Sequence, residues 1–259
     1  MSKVFFTSDT HFGSPRTLEL SKRPFGNSTS MDNEMVIRFN NVVSSNDVVY
    51  HLGDFGLFEN LRLLNGKIIF IWGNYELDQF YQDTDIIHTI NKEFNIEYNK
   101  FTNMCVKKYS NAKQYDPNFK ENYWRFIFNG SNFIPYDLKD KFNNFKASVK
   151  EAASRFNKKL MEYGFYDVMD FNGCNMTLIN SDDRTQRLSI HVQHEPIDCI
   201  MYNGVPVDFN LFGHIHGRQL VKPYGLDVGV DGHNFKPISK EDIFFFANAI
   251  EKFYDVNVF

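Results

Sequence analysis

The chain has 259 residues, with 28 Lys and Arg against 32 Asp and Glu and a formal net charge of −4, so it can bury a large core as one domain or as a domain carrying an insertion. Three cysteines without CxxC spacing, Cys105, Cys174 and Cys199, argue against a disulfide framework and for reduced thiols. The N-terminal apolar stretch is too short for a signal peptide and no apolar run approaches the roughly eighteen residues of a membrane span, so a soluble, cytoplasmic protein is expected.

Residues 3–8 predict a short buried strand, and Asp9-Thr10-His11 follows it. Over 30–43, Met31, Met35, Val36 and Phe39 have helical spacing, with Asp32 and Glu34 read into the first turn. Residues 47–52 predict a second strand ending at Gly53-Asp54, 58–64 a short helix, and 67–72 a third strand ending at Gly73-Asn74. This alternation points to an α/β sheet. Residues 175–179 and 188–192 flank a hairpin turn at Asn180-Ser181-Asp182-Asp183, and His194-Glu195-Pro196 follows the second of them. A strand over 209–212 runs into Gly213-His214-Ile215-His216, with a strand at 226–230 and a helix at 243–253 beyond it. The polar words fall just past the carboxyl ends of strands, where open α/β sheets form binding crevices.

The stretch 100–159 is different. It holds thirteen Lys or Arg and five Asp or Glu, about +8, and leaves fifteen basic and twenty-seven acidic residues, about −12, in the rest of the chain. It also carries Tyr109, Tyr115, Phe119, Tyr123, Trp124, Phe126, Phe128, Phe133 and Tyr136, and 139–163 reads as a basic amphipathic helix. Two readings stay open: a solvated cap with a small aromatic core, or a substrate lid whose lysines attract phosphate and whose aromatics stack on bases.

Asp-x-His and His-x-His place two donors on one side of an extended backbone. The five polar words together hold enough carboxylate, amide and imidazole for two divalent ions, and no thiolate that would mark a structural zinc site. Two ions about 3.5–4 Å apart would activate water and clamp phosphoryl oxygens.

Asp9-Thr10-His11, Gly53-Asp54, Gly73-Asn74, His194 and Gly213-His214-Ile215-His216 resemble the five motifs of the calcineurin-like metallophosphoesterases. Ser8 to Gly13, Arg23-Pro24-Phe25, Val49 to Phe55, Val228 to Asp231 and Phe235 to Ser239 are similar to a small branch found in bacteria and their phages. The resemblance covers roughly residues 1–99 and 170–240. It implies a four-layer α/β/β/α sandwich. It implies one metal on Asp9, His11 and His216, a second on Asn74, His194 and His214, and Asp54 bridging. Manganese is favoured, with iron, zinc or nickel as alternatives, and a metal-bridging hydroxide attacks phosphorus. One position departs from the family. Its third motif is Gly-Asn-His, whereas this chain has Gly73-Asn74-Tyr75-Glu76. The family His lies near the leaving-group oxygen as general acid; a tyrosine, with an unperturbed pKa near 10, is a poorer acid. The resemblance implies that members lacking that His are often phosphodiesterases that prefer good leaving groups, or have weak generic activity.

The other candidates receive ordinary readings. His51 is expected as buried support, His191 as a residue within a strand, and His88 and His233 as surface or loop positions. Arg218 is expected either to reach a phosphate or to face solvent, and Arg23 to make a structural salt bridge. The expected organisation is a discontinuous core, 1–99 and 166–259, with a basic, aromatic-rich cap at 100–165. The expected activity is two-metal phosphodiester hydrolysis on a nucleotide or nucleic acid, with Asp54, Asn74, Tyr75 and His194 in catalysis and Tyr75 and Arg218 touching substrate. A phosphomonoesterase acting on a nucleotide or phosphoprotein is the alternative, as is a nucleotide-sequestering or scaffold protein with little turnover. The branch resemblance and the Asn-, Lys- and Phe-rich composition suggest a phage protein acting in a bacterial host.

Overall fold

A computed structural model of the chain describes residues 2–84, 86, 92, 96–99, 104–109, 112–116, 139–197, 201–202 and 205–255. It divides into two compact units, residues 1–77 with 157–259 and residues 78–156.

In the first unit, β1 (Val4–Thr7), β2 (Val48–His51), β3 (Lys67–Ile71) and β7 (Asp167–Met169) pair in parallel, and β15 (Ile238–Ser239) adds an antiparallel edge to β1. A second sheet has the order β13 (Val221–Lys222), β14 (Gly225–Asp227), β12 (Phe209–Phe212), β9 (Arg187–Val192), β8 (Cys174–Ile179). Its three central strands β14, β12 and β9 run parallel, and its outer strands are antiparallel to their neighbours. Phe6, Leu52 and Ile71 from the first sheet share one buried cluster with Leu178, Ile190, Val192, Leu211 and Leu226 from the second. The two sheets therefore pack face to face, and their apolar area is the main source of stability. Phe5, Val49, Ile68 and Phe70 alternate with the inward set and are buried on the opposite face. A sheet covered on both sides is the expected form for parallel strands. On that outer face Phe70 stacks on Phe165 at 4.6 Å and meets Phe55 and Phe58 edge-on.

Helix α2 (Ser28–Val42) buries Met31, Met35 and Phe39 as their spacing requires, but it begins earlier than 30. Asn27 accepts from Ser30 N and Ser30 caps Asn27 in return, so Asp32 and Glu34 lie beyond the first turn. Asp32 instead accepts from Gly13 N and Asn60 Nδ2. The short helix at 58–64 is a 3₁₀ segment, Phe58–Leu63. The strand expected over 226–230 stops at Asp227, whose carboxylate accepts from Gly229 N and Gly217 N and turns the chain into a 3₁₀ turn, Val230–Gly232. Several elements had no counterpart in the periodicity, among them α1 (Pro15–Leu20), α3 (Asn74–Gln82) and β7. The first carries a legible signal all the same, a Ser14 cap followed by Pro15 at the first helical position. Helix α4 (Lys139–Met161) buries Phe145, Val149, Ala153, Phe156 and Leu160 at spacings of three and four. Asn157 near its C-terminal end accepts from Trp72 Nε1 and donates to Val168 O, tying that end to β3 and β7. Helix α5 (Lys240–Phe253) starts with a Ser239–Asp242 capping box and adds Ile243, Phe244 and Ile250 to the inter-sheet cluster.

In the second unit, β4 (Ile96–Asn99), β5 (Met104–Tyr109) and β6 (Ala112–Asp116) form an antiparallel meander. His88 and the aromatics Phe119, Tyr123, Trp124, Phe126, Phe128, Phe133 and Tyr136 lie outside the described residues. No helix among the described residues is long and apolar enough to cross a membrane.

Phe70→Ala removes a fully buried ring that touches three other aromatics. It should lower unfolding stability by about 3–5 kcal/mol, read as a shift in the urea midpoint at constant slope.

Candidate metal centre

Five loops supply the polar words, and each leaves the carboxyl end of a strand. Asp9 follows β1, Asp54 follows β2, Asn74 follows β3, His194 follows β9 and His214 follows β12. Because β1, β2 and β3 are parallel, as are β9 and β12, all five loops emerge at one edge of the paired sheets.

The local backbone is not the extended one expected from strand alternation. Asp9, His11, Asp54, His214 and His216 all take left-handed φ values, 58°, 46°, 56°, 71° and 52°. They are five of the eight non-glycine residues with positive φ among the described residues. Each such residue costs on the order of 1–3 kcal/mol and persists only where the surroundings enforce it. Asp9 and His11 still face the same centre, but through successive tight turns. Those turns are locked by Asp9 N to Gly53 O (3.1 Å), His11 N to Asp54 O (3.0 Å) and Phe12 N to Phe55 O (2.8 Å). Gly53, at φ 91°, lies so close to Gly73 that any Cβ would overlap its backbone.

The side chains converge with their lone pairs inward. His11 Nε2 lies 3.5 Å from Asp54 Oδ2 and 3.9 Å from Asp9 Oδ1, and His216 Nε2 lies 3.9 Å from the same Asp9 oxygen. On the other side of Asp54, His194 Nε2 stands 3.4 Å from Oδ2. Asn74 Oδ1 is 2.9 Å from His194 Nε2 and 3.0 Å from His214 Nδ1. Asp54 Oδ2 thus sits between His11 and His194. Two overlapping donor groups result, Asp9–His11–His216 and Asp9–Asp54–His194, each with ligand atoms within 4.8 Å of one another. Asp9 Oδ1 and His11 Nε2 are buried and have no hydrogen-bond partner. Orphaned buried acceptors facing one point are the mark of a cation's place.

Surrounding groups hold these donors in orientation. His194 Nδ1 donates to Leu52 O at 2.7 Å, which turns Nε2 inward. His216 Nδ1 meets Asp231 Oδ2 at 2.8 Å, and Arg23 forks onto both Asp231 oxygens at 2.8 Å. The same guanidinium donates to Thr10 O (2.8 Å) and Asp9 O (2.6 Å), so Arg23 is the structural ion pair expected of it. Glu76 accepts from Asp54 N, Phe55 N and Gly73 N, clamping the second and third loops together. His51 is buried against Thr10 Oγ1 at 3.0 Å, as support rather than ligand.

The electrostatics call for added positive charge. Asp9, Asp54, Glu76 and Asp227 are all buried, and among the described residues Arg23 is the one buried permanent cation. Burial raises Asp9 above the usual carboxylate range, even with His194 opposing, and the neighbouring Asp54 carboxylate adds to the rise. Burial would also raise Asp54, but the adjoining His194 and His11 hold it low. Burial disfavours a charged His194, yet Asp54 and Asp9 push it up to about 10. Burial pushes His11 down to about 3 despite Asp54. Burial and the nearby Asp54 push Glu76 up to about 7, against backbone N–H donors that favour its anion. A dication would offset the buried carboxylate charge and take the place of the proton on His194, while His11 is already held neutral. The donor set of carboxylate, amide and imidazole fits such an ion.

The remaining candidates divide. Tyr75 stands at the rim, 45% exposed, with its ring edge-on to His11 at 5.1 Å. Arg218 is exposed on the final loop, and among the described residues only its backbone is held, by Ile215 O. His191 lies in β9 and bonds Asn175 and Gln193. His233 lies in the turn after Val230–Gly232, as the loop reading expects, but it is buried and not on the surface, its Nε2 2.6 Å from Asp227 O. Glu76, Asp227 and Asp231 carry structural roles that the motif reading left unassigned. Their signal was present as acidic residues beside motif words, but nothing in their spacing said what they would hold. A cavity of about 1440 Å³ lined by Lys3, Asn180, Arg184, Lys236 and Asp242 shares no residue with this cluster.

The model of the calcineurin-like phosphoesterase family matches residues 2–233 of the chain. The chain belongs to that family, and its donor cluster is one that could hold a metal ion. It is similar to the uncharacterized protein MJ1445 of Methanocaldococcus jannaschii, 40% identical over 84 residues, covering 29% of this chain and 48% of that protein. The chain thus matches about half the length of that relative. It is also similar to the crystal structure of a protein of unknown function, AQ665, from Aquifex aeolicus. That likeness has a TM-score of 0.48 and 15% identity over 95% of this chain and all of the other.

Two outcomes follow from this geometry. Asp231→Asn should weaken divalent-metal binding about 10–100-fold by releasing the His216 ring, measured by calorimetric titration. Metal must also displace the proton that Asp54 and Asp9 hold on His194 up to about pH 10. Metal affinity should therefore fall as pH is lowered from 9 to 6, by as much as about tenfold per unit, and an affinity independent of pH would contradict this.

Proposed function

We propose that the protein is a phosphodiesterase acting on a nucleotide or nucleic acid and using two divalent ions, manganese favoured. The observation that carries this is the placement of Asp54 Oδ2 between His11 at 3.5 Å and His194 at 3.4 Å, with further donors on both sides. Asp9, His11 and His216 would hold one ion, Asn74, His194 and His214 the other, and Asp54 would bridge. Bound there, such a pair lowers the pKa of water and neutralises charge on phosphoryl oxygens. The chain's own contribution is orientation. Leu52 O fixes the His194 ring, Asp231 fixes His216, and Tyr75 N donates to Asp54 Oδ1 at 3.1 Å.

Tyr75 supports the diester preference. Its hydroxyl accepts from Arg16 Nη1 at 2.9 Å, which leaves its own proton free to donate to a departing oxygen. A phenol stabilises a leaving group by hydrogen bonding more readily than it transfers a proton near neutral pH, so good leaving groups should dominate. Phage origin and action in the cytoplasm of a bacterial host complete the reading, resting on composition and on the motif resemblance.

With Mn²⁺, bis-p-nitrophenyl phosphate should be cleaved faster than p-nitrophenyl phosphate, and faster monoester cleavage would reverse the assignment. Asp54→Asn should cut turnover by at least about 10²–10³-fold, because it removes the bridging charge; an undiminished rate would sink the two-metal reading.

A further inference from the structure

Arg16 has no place among the groups that build the metal centre. It projects from α1, is exposed, and makes one side-chain hydrogen bond among the described residues, to Tyr75 Oη at 2.9 Å. A guanidinium carries five N–H donors in a fixed fork, so four remain for another partner. No carboxylate pairs with Arg16 among the described residues, although acidic side chains are abundant nearby in the cluster. Its position is set by two contacts in series. The Tyr75 ring packs edge-on against His11 at 5.1 Å, and Arg16 binds the far end of that ring. The guanidinium therefore stands one phenol ring outward from the inner donors, at the open side of the cluster where Tyr75 and His214 are exposed.

An unpaired fork at that offset is too far out to share the inner donors' task and well placed for an anion beside the reacting one. We infer that Arg16 recognises a second phosphate of the substrate, adjacent to the scissile ester, and so selects strand-like nucleotide substrates over isolated diesters. This rests on the phosphoesterase reading above. Planar, bidentate recognition of phosphate is what arginine does better than lysine. Tyr75 acts as a brace that holds the fork in register while presenting its own proton to the ester.

The test compares dithymidine monophosphate with and without a 5′-terminal phosphate. Binding to the full chain is measured by calorimetry, with Ca²⁺ replacing Mn²⁺ so that turnover does not interfere. The unmodified protein should favour the phosphorylated dinucleotide by about tenfold, the worth of one charge-assisted hydrogen-bond pair. Arg16→Ala should abolish that ratio, Arg16→Lys should restore part of it, and Arg62→Ala, an equal charge change elsewhere, should leave it intact. A ratio that survives Arg16→Ala overturns the inference, as does a native protein that does not discriminate. Equal weakening of both ligands by Arg16→Ala also overturns it, because the guanidinium would then serve the scissile phosphoryl itself. Each of these results is read from binding alone, so failure of the phosphodiesterase reading, seen as absent Mn²⁺-dependent cleavage of either dinucleotide, remains a separate outcome.

Discussion

Burying Asp9, Asp54, Glu76 and Asp227 at one edge of two packed sheets is the condition on which the rest of this structure turns. Carboxylates cannot be taken from water without compensation, and one buried arginine cannot supply it for four of them. Each therefore has a defined means of satisfaction. Glu76 and Asp227 take backbone N–H groups, and in doing so they fix the loops that carry the others. Asp9 keeps an unpartnered oxygen, and Asp54 has one oxygen taken by Tyr75 N and the other turned to His11 and His194. The inner oxygens are left facing one point, where a divalent metal would suit their chemistry.

The fold makes that arrangement rigid. Parallel strands deliver five loops to one edge, and in three of them, after β1, β2 and β12, donor residues take left-handed turns instead of continuing as strands. The turns are expensive individually and are held by cross-loop hydrogen bonds from Asp9, His11 and Phe12 to the Gly53–Phe55 loop. Strain of this kind is preorganisation. The donors are aimed before any ligand arrives. Arg23 extends the same logic, joining Asp231, Asp9 O and Thr10 O in one buried fork.

Against that rigid floor, the rim is adaptable. Tyr75 and Arg16 are exposed, held by one hydrogen bond and one ring contact. Enzymes of one family commonly share the inner chemistry and differ at such positions, because changing a rim residue costs little stability while altering which substrate is held. The replacement of the family histidine by Tyr75 belongs to this layer.

The amino-acid sequence by itself determined the strands β1, β2, β3, β8, β9 and β12, the order of the five polar words and the α/β class, because these depend on local periodicity and on residues that only a few turns tolerate. It also carried the chemistry of the donor set, since Asp, Asn and His in those words have few other common uses. The tertiary structure decided what local pattern cannot hold. Asp231 and Arg23 stand 208 positions apart and meet as an ion pair, and His194 reaches Leu52 O across 142 positions. Such contacts depend on how two sheets stack, and no spacing rule encodes them. The left-handed turns at Asp9 and His11 were hidden for the same reason: the alternation rule puts both side chains on one side, and only cross-loop bonding shows that turns achieve it. His233 read as a surface or loop position; it lies in a turn, and its burial against the Asp227 carbonyl is what no spacing shows.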